Sequence, residues 1–195
     1  HTVYLHILSS ENVFRLKNSV LKLNLGGQYN NRQEDEGGGE ISLDMLLTSA
    51  IYNLQWIKIL GDHTELIIGN QSILQNNKNY GKRRIVPNAN ISETGLSVFI
   101  NHKINHLVIE GGIGGNYRSI HALETKNFND AGKDIHPFNS DLPSLNGLLG
   151  FTLDPNEHWT FKLCSGTGFR SPNLAELSSY GLHEGTYNFE IGDPT

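Results

Sequence analysis

The sequence predicts an all-β protein, an antiparallel up-and-down meander of about eight strands. Three observations carry this expectation. Helical periodicity is nearly absent, whereas period-two alternation of apolar and polar residues is common. Glycine is abundant, at 21 of 195 residues, while charged residues make up 18% and apolar residues 37%. That balance suits a strand-rich, turn-rich chain better than a helical bundle. Short polar connections also alternate with long ones along the whole chain.

The first strand is expected over about 2–14 and turns back through RLKNS into a second over 19–31. There Leu21, Leu23, Leu25 and Tyr29 share one face, and Lys22, Asn24, Gln28 and Asn30 the other. A long acidic connection, NRQEDEGGGE, leads to strands over 41–59 and 63–76, joined by the tight turn LGDH. Their alternation is less clean, so their faces are left open. The connection NKNYGKRRIVPNANI precedes strands over 92–102 and 105–120, joined by HKIN. In the latter, Leu107, Ile109, Ile113 and Tyr117 oppose Glu110, Asn116 and Arg118. A long connection over 121–142 then leads to strands over 143–154 and 158–170, joined by DPNE. Leu145, Leu149, Phe151 and Leu153 share a side; Trp159, Phe161 and Leu163 oppose Thr160, Lys162 and Cys164.

Strict alternation of short and long connections is expected of a segment of a larger transmembrane β-barrel, whose turns are short on one side of the bilayer and loops long on the other. The strand lengths also fit, since a tilted membrane strand needs roughly 9–11 residues. Trp56 and Trp159 fall near short turns and Tyr29 and Tyr117 near long-loop ends. That would make two aromatic girdles, although aromatic residues favour strands in any setting. A soluble eight-stranded barrel would invert the faces, with the apolar residues inside. Alternation alone does not separate the two; the loop asymmetry favours the membrane.

Other classes fare poorly. Net charge is −5, and the one basic cluster, Lys82-Arg83-Arg84, lies in an expected loop, so nucleic acid is not expected as a partner. A single cysteine, Cys164, makes no internal disulfide. The nine histidines are scattered without metal-ligand spacing, and His102 and His106 read as solvated residues flanking a turn. GGIGGNY lacks the spacing of a phosphate loop and sits inside a strand, where its glycines would slim the wall. NFNDAGKD has Ala131 at a calcium-ligand position and no closing glutamate. Glu34, Asp35, Glu36 and Glu40 form an acidic loop whose default is solvated charge. No nucleophile, paired-carboxylate or metal pattern stands out, so neither an enzyme nor a cofactor is expected.

Residues 165–194 read SGTGFRSPNLAELSSYGLHEGTYNFEIGDP. Locally, Gly166 and Gly168 lighten a strand end for a close neighbour. Ser171-Pro172 reads as a helix N-cap followed by proline at the first helical position, with a helical turn over Asn173–Leu177 and Gly181 ending it. The whole string resembles the barrel signature of TonB-dependent outer-membrane receptors. Gly168, Phe169, Arg170, Pro172, Asn173, Leu174, Glu176 and Leu177 match it, as do His183, Glu184, Gly185, Thr186, Glu190, Gly192, Asp193 and Pro194. Ser171 stands where the family usually has alanine. NNKNYGKRRIVPNAN also resembles the corresponding barrel loop.

The resemblance implies part of an active transporter of the bacterial cell outer membrane. Such receptors take up ferric siderophores, haem or cobalamin, and in some bacteria glycans. They are energised through TonB, with a plug domain inside a barrel of about 22 strands. Residues 1–195 are then expected to be a partial barrel without the plug, in contact with outer-membrane lipid. Outer-loop candidates for holding a small-molecule or metal-chelate substrate are Tyr80, Lys82, Arg83, Arg84, Tyr180 and His183, since cationic and aromatic groups suit an anionic chelate. The alternative is a self-contained eight-stranded β-barrel binding a small ligand. Pairing of the first strand with the eighth distinguishes that alternative from a segment with open edges.

Overall fold

A computed structural model describes residues 1–35, 39–82, 84–126, 134–183 and 188–193. Eight antiparallel strands form one sheet in chain order: β1 (Thr2–Leu16), β2 (Ser19–Asp35), β3 (Ile41–Leu60), β4 (Thr64–Asn79), β5 (Ala89–Ile104), β6 (Leu107–Ala122), β7 (Phe138–Asn156) and β8 (Trp159–Gly166). A five-residue helix, α1 (Leu174–Ser178), and a small hairpin of β9 (Tyr180–His183) and β10 (Asn188–Ile191) follow. The all-β meander expected from the sequence is the observed fold. The small hairpin was not anticipated.

Tight turns fall where the short polar connections stand. Gly61 (φ 67°) supplies a left-handed residue between β3 and β4, and Asn105 (φ 49°) between β5 and β6; asparagine is among the few side chains that accept this region readily. Several strand limits differ from the expected ones; β2 runs on to Asp35 and β4 to Asn79. β5 begins at Ala89, where Ala89 and Ile91 still pair with both neighbours. β7 begins at Phe138, because residues 138–142 continue the ladder on β6. Pro143 has no N–H to give a ladder, and β8 pairs with β7 only from Leu148 onward. At Pro143 β7 is therefore already an edge, where proline is tolerated. β8 ends at Gly166, not near Arg170, and Thr167 adds one last bond to Gly147 (2.9 Å) before the chain leaves the sheet.

Directly paired residues point to the same side of a sheet, so the register assigns every strand's faces. From Leu23 the row runs to Leu54, Asn70, Leu96, Gly115 and Leu145. The next row toward the short turns holds Leu21, Trp56, Ile68, Val98, Ile113 and Gly147. This face is apolar across its middle. It takes in Phe151, Leu153, Phe161 and Leu163 at the β8 end, and resolves the faces of β3 and β4. The opposite face carries Lys22, Asn24, Asn53, Gln71, Glu93, Asn101, Glu110, Asn116, Arg118 and Lys162.

Burial is inverted relative to a water-soluble sheet. The apolar face is exposed, with Leu96 at 59%, Ile113 at 58%, Leu145 at 71% and Leu163 at 69%. Along β6 the polar-face residues Glu110, Asn116 and Arg118 are the more shielded. A flat sheet exposes its faces equally, so this difference marks the polar face as the inside of a curve. Among the described residues β1 and β8 do not pair with each other, and both edges are open.

Gly81 lets the β4–β5 connection lie against the start of β3: a Cβ there would come within 2.5 Å of Asp44 N and Ser42 O. At Gly26 the nearest atoms would be 4.0 Å away. Gly81→Ala is therefore expected to destabilise the protein by about 1–3 kcal/mol, and Gly26→Ala by less than about 1 kcal/mol. Urea unfolding of the two variants side by side checks the contrast.

Candidate functional site: the polar inner face and the long-loop rim

Across its middle the inner face is built from amides, charges and glycines; nearer the short turns it carries one apolar row of Val20, Ile57, Ile67, Phe99 and Leu148. Asn53 donates to Gln71 (3.3 Å), Asn101 to Glu110 (3.2 Å), and Asn116 to Glu93 (2.9 Å). Arg118 Nη1 donates to the other Glu93 oxygen (3.1 Å), an ion pair with both partners mostly shielded. Between these strands lies a depression of about 300 Å³ lined in part by Asn53, Gln71, Glu93, Ser97, Asn116 and Asn146. Glycines keep its floor low. A Cβ at Gly69 would sit 2.9 Å from Ser97 Oγ, at Gly95 3.0 Å from Asn116 Oδ1, and at Gly114 3.0 Å from Asn146 Oδ1. The surface suits polar or hydrated solutes.

The rim at the long-loop end is held by asparagines. Asn77 donates to Pro87 O (2.9 Å) and Asn79 Nδ2 to Val86 O (3.0 Å). Asn88 Oδ1 accepts from Asn79 N (2.7 Å), and Thr125 Oγ1 from Asn88 N (2.9 Å). These side chains satisfy loop backbone groups that no strand pairs, and so fix the β4–β5 connection across the sheet end.

After β8 the chain folds back over the inner face. Leu174 and Leu177 of α1 bury against Ala89, Ile91 and Ile120, flanked by Val86, Phe138 and Leu142. Each leucine contributes about 1.5–3 kcal/mol by burial. The helix is capped by Asn173, not by Ser171. Asn173 Oδ1 accepts from Glu176 N (2.9 Å), and Glu176 Oε2 from Asn173 N (2.8 Å). Counting from Ser171 would put Leu174 three residues on, with no oxygen to return the bond. From Asn173 that position is Glu176, which completes a capping box. Pro172 therefore precedes the cap. The helix ends at Ser179 rather than Gly181.

Arg170 closes the turn with two parallel bonds to the Glu176 carboxylate, both 2.9 Å. The Arg170 guanidinium, followed by the Asn173 backbone N–H, holds the Glu176 carboxyl below its ordinary value of 4.5. Farther on, Gly192 N donates to Ser179 O (2.6 Å) and Asp193 N to Glu176 O (3.0 Å). A Cβ on Gly192 would lie 2.3 Å from Ser178 N, so only glycine fits this contact. Of the other signature residues, Gly168 has open space around its Cα, so the close neighbour expected there is not found; Phe169 is exposed at 51%. Gly185 and Pro194 lie outside the described residues, as do Glu184 and Thr186.

Of the loop candidates, Tyr80, Lys82, Arg84 and Tyr180 lie at this same rim. Tyr80 is exposed, and Lys82 pairs with Glu40 across the long-loop end. Arg84 donates through Nε to Gly81 O (3.3 Å) and through Nη1 to Lys126 O (2.9 Å), so it braces loops. Tyr180 is half-buried, and its N–H bonds Ile85 O (3.1 Å), which brings the fold-back beside the Arg84 loop. His183 lies on β9, and Arg83 lies outside the described residues. Sequence reasoning missed the Asn77–Asn79–Asn88 brace. Its signal was the density of asparagine at both ends of the KRR loop. No protein-family model, curated protein or solved structure matches the chain.

Two outcomes follow from the fold-back. A carboxyl held below its ordinary value stabilises the folded form above the unfolded-state pKa and loses that contribution as pH falls through the folded value. Docking of α1 should thus be constant from neutral pH down to the ordinary value of 4.5 and weaken only below it; Glu176→Gln should abolish this acid sensitivity. Leu177→Ala should weaken docking by about 2–5 kcal/mol. Hydrogen exchange at the Ser179 and Tyr180 amides reads both.

Proposed function

We propose that this chain is part of the wall of an outer-membrane active transporter of the TonB-dependent receptor type. In this reading it takes up a scarce small molecule or metal chelate. The observation that carries the reading is the inverted sheet, whose apolar face is exposed while its polar face is shielded and crossed by ion pairs and amide bonds. In water that arrangement leaves a large apolar surface uncovered; against lipid it is the stable one. Trp56 and Trp159 on the apolar face near the short turns, and Tyr29 and Tyr117 toward the long loops, fit two interfacial girdles.

Two further features support the receptor type. The open edges of β1 and β8 favour a segment of a larger barrel over a closed eight-stranded one. The residues that resemble the receptor signature are used together: Arg170, Asn173, Glu176, Leu177 and Gly192 build one fold-back against the inner face. Substrate would meet the rim at Tyr80, Lys82, Arg83, Arg84, Tyr180 and His183. The energy source would be TonB, acting on a plug domain in the complete protein.

Cell fractionation of the protein expressed from its complete reading frame tests the membrane assignment. Recovery in the outer-membrane fraction, with the mobility shift on heating typical of a barrel, is expected; recovery in a soluble fraction overturns it. Within the membrane, Leu96→Arg on the apolar face should destabilise the barrel by about 2–4 kcal/mol, and Asn146→Ser on the inner face by less than about 1 kcal/mol. Alanine at Tyr80, Lys82 and Tyr180 together should reduce uptake of a ferric chelate; unchanged uptake removes these residues from the substrate site.

A further inference from the structure

The apolar face ends abruptly toward the long loops. Thr48, Asn76, Asn90, His121 and Asn139 are direct partners on β3 to β7, and so form one polar row across five strands. One row nearer the short turns stand Ala50, Leu74, Ser92 and Ser119. Asn76 Nδ2 donates to Asn90 Oδ1 (2.6 Å), and His121 is hydrogen-bonded to Asn139. Between these two rows the outer face carries a groove of about 500 Å³.

We propose that this groove binds a lipid with an uncharged, hydroxyl-rich head group, a glycolipid, on the outside of the wall. The inference rests on the membrane reading above. Three properties of the groove select that chemistry. It is polar on the loop side and apolar below, where Leu74 is 58% exposed and Leu96, 59% exposed, continues the apolar surface. An amphiphile can therefore lay an acyl chain along Leu74 and Leu96 with its head group on the polar row. Its lining has no Asp, Glu, Lys or Arg, so nothing in it is matched to a phosphate or an ammonium. Its polar groups are amides, hydroxyls and an imidazole, which both donate and accept, as sugar hydroxyls require. Lys78 lies one row beyond Asn76 and Asp141 directly beside Ser119, so one charge of each sign stands at the edge of the groove.

The test uses the intact parent protein in nanodiscs of phosphatidylethanolamine doped with either monoglucosyl diacylglycerol or phosphatidylglycerol. Native mass spectrometry counts the lipid retained. Glucolipid should be enriched at least fivefold over phosphatidylglycerol, and Asn76→Leu with Asn90→Leu should remove the enrichment. His121→Gln, which keeps a donor and an acceptor, should retain it, and His121→Leu should not. The heat-induced mobility shift shows which variants are folded. A protein absent from the membrane overturns both the membrane reading and this one. A membrane-inserted protein that retains the two lipids equally overturns the groove alone. Preferential retention of phosphatidylglycerol overturns the assignment of an uncharged head group.

Discussion

Residues paired directly across an antiparallel sheet leave it on the same side, and a slip of one residue in any ladder would send a whole strand's side chains to the wrong face. The protein depends on that constraint being met at seven consecutive interfaces. The β2–β3 and β7–β8 pairings each contain one irregularity, between Glu34 and Asp35 and between Leu153 and Asn156. Both lie at strand ends, so the rows through Leu23, Leu54 and Leu96 stay aligned. Because alignment holds, isolated leucines on separate strands become a continuous apolar surface, and isolated amides become a bonded network on the reverse.

The same constraint gives the two ends of the sheet different tasks. At one end, turns of a few residues keep neighbouring strands together. At the other, asparagines and a capped helical turn fill the space that long connections leave open. The fold-back after β8 buries the small apolar patch of Ala89, Ile91 and Ile120 at the long-loop end of the inner face. Its leucines thus contact residues that would interrupt a wet surface. Arg84 belongs to this scaffolding as much as to the rim, because its guanidinium bridges two loop carbonyls.

Most of the sheet was legible in the sequence. Alternation in VLKLNLGGQYN and in HWTFKLCSGTGF marks the faces of β2 and β8 directly. The faces of β3 and β4 were not legible, because Asn70 and Ser72 on the apolar face and Ile67 and Ile73 on the polar face break the pattern. There the partners, not the strand itself, decide. The extension of β7 back to Phe138 was hidden by Pro143, whose tolerance depends on where β8 stops. At the rim, the helical turn was foreseeable but its cap was not: Ser171 and Asn173 are both good caps, and Glu176 decides between them. Asparagine density at both ends of the KRR loop marked the brace, but its partners were hidden, because the bonds join positions 7 to 10 residues apart through a loop of no regular pattern.

The register also implies an order of assembly. Each hairpin of the meander joins chain neighbours, so its loops close cheaply and contact order is low for an all-β protein. The fold-back is different. Leu174 and Leu177 need a docking surface from β5 and β6, whose Ile91 and Ile120 lie far earlier in the chain. That surface exists only once the two strands are paired, so the tail forms these contacts after that hairpin. The Arg170–Glu176 bond, local in sequence, can prepare the turn before docking. The completed fold-back is therefore a late kinetic marker: its protection from exchange reports that the β5–β6 hairpin beneath it has already formed.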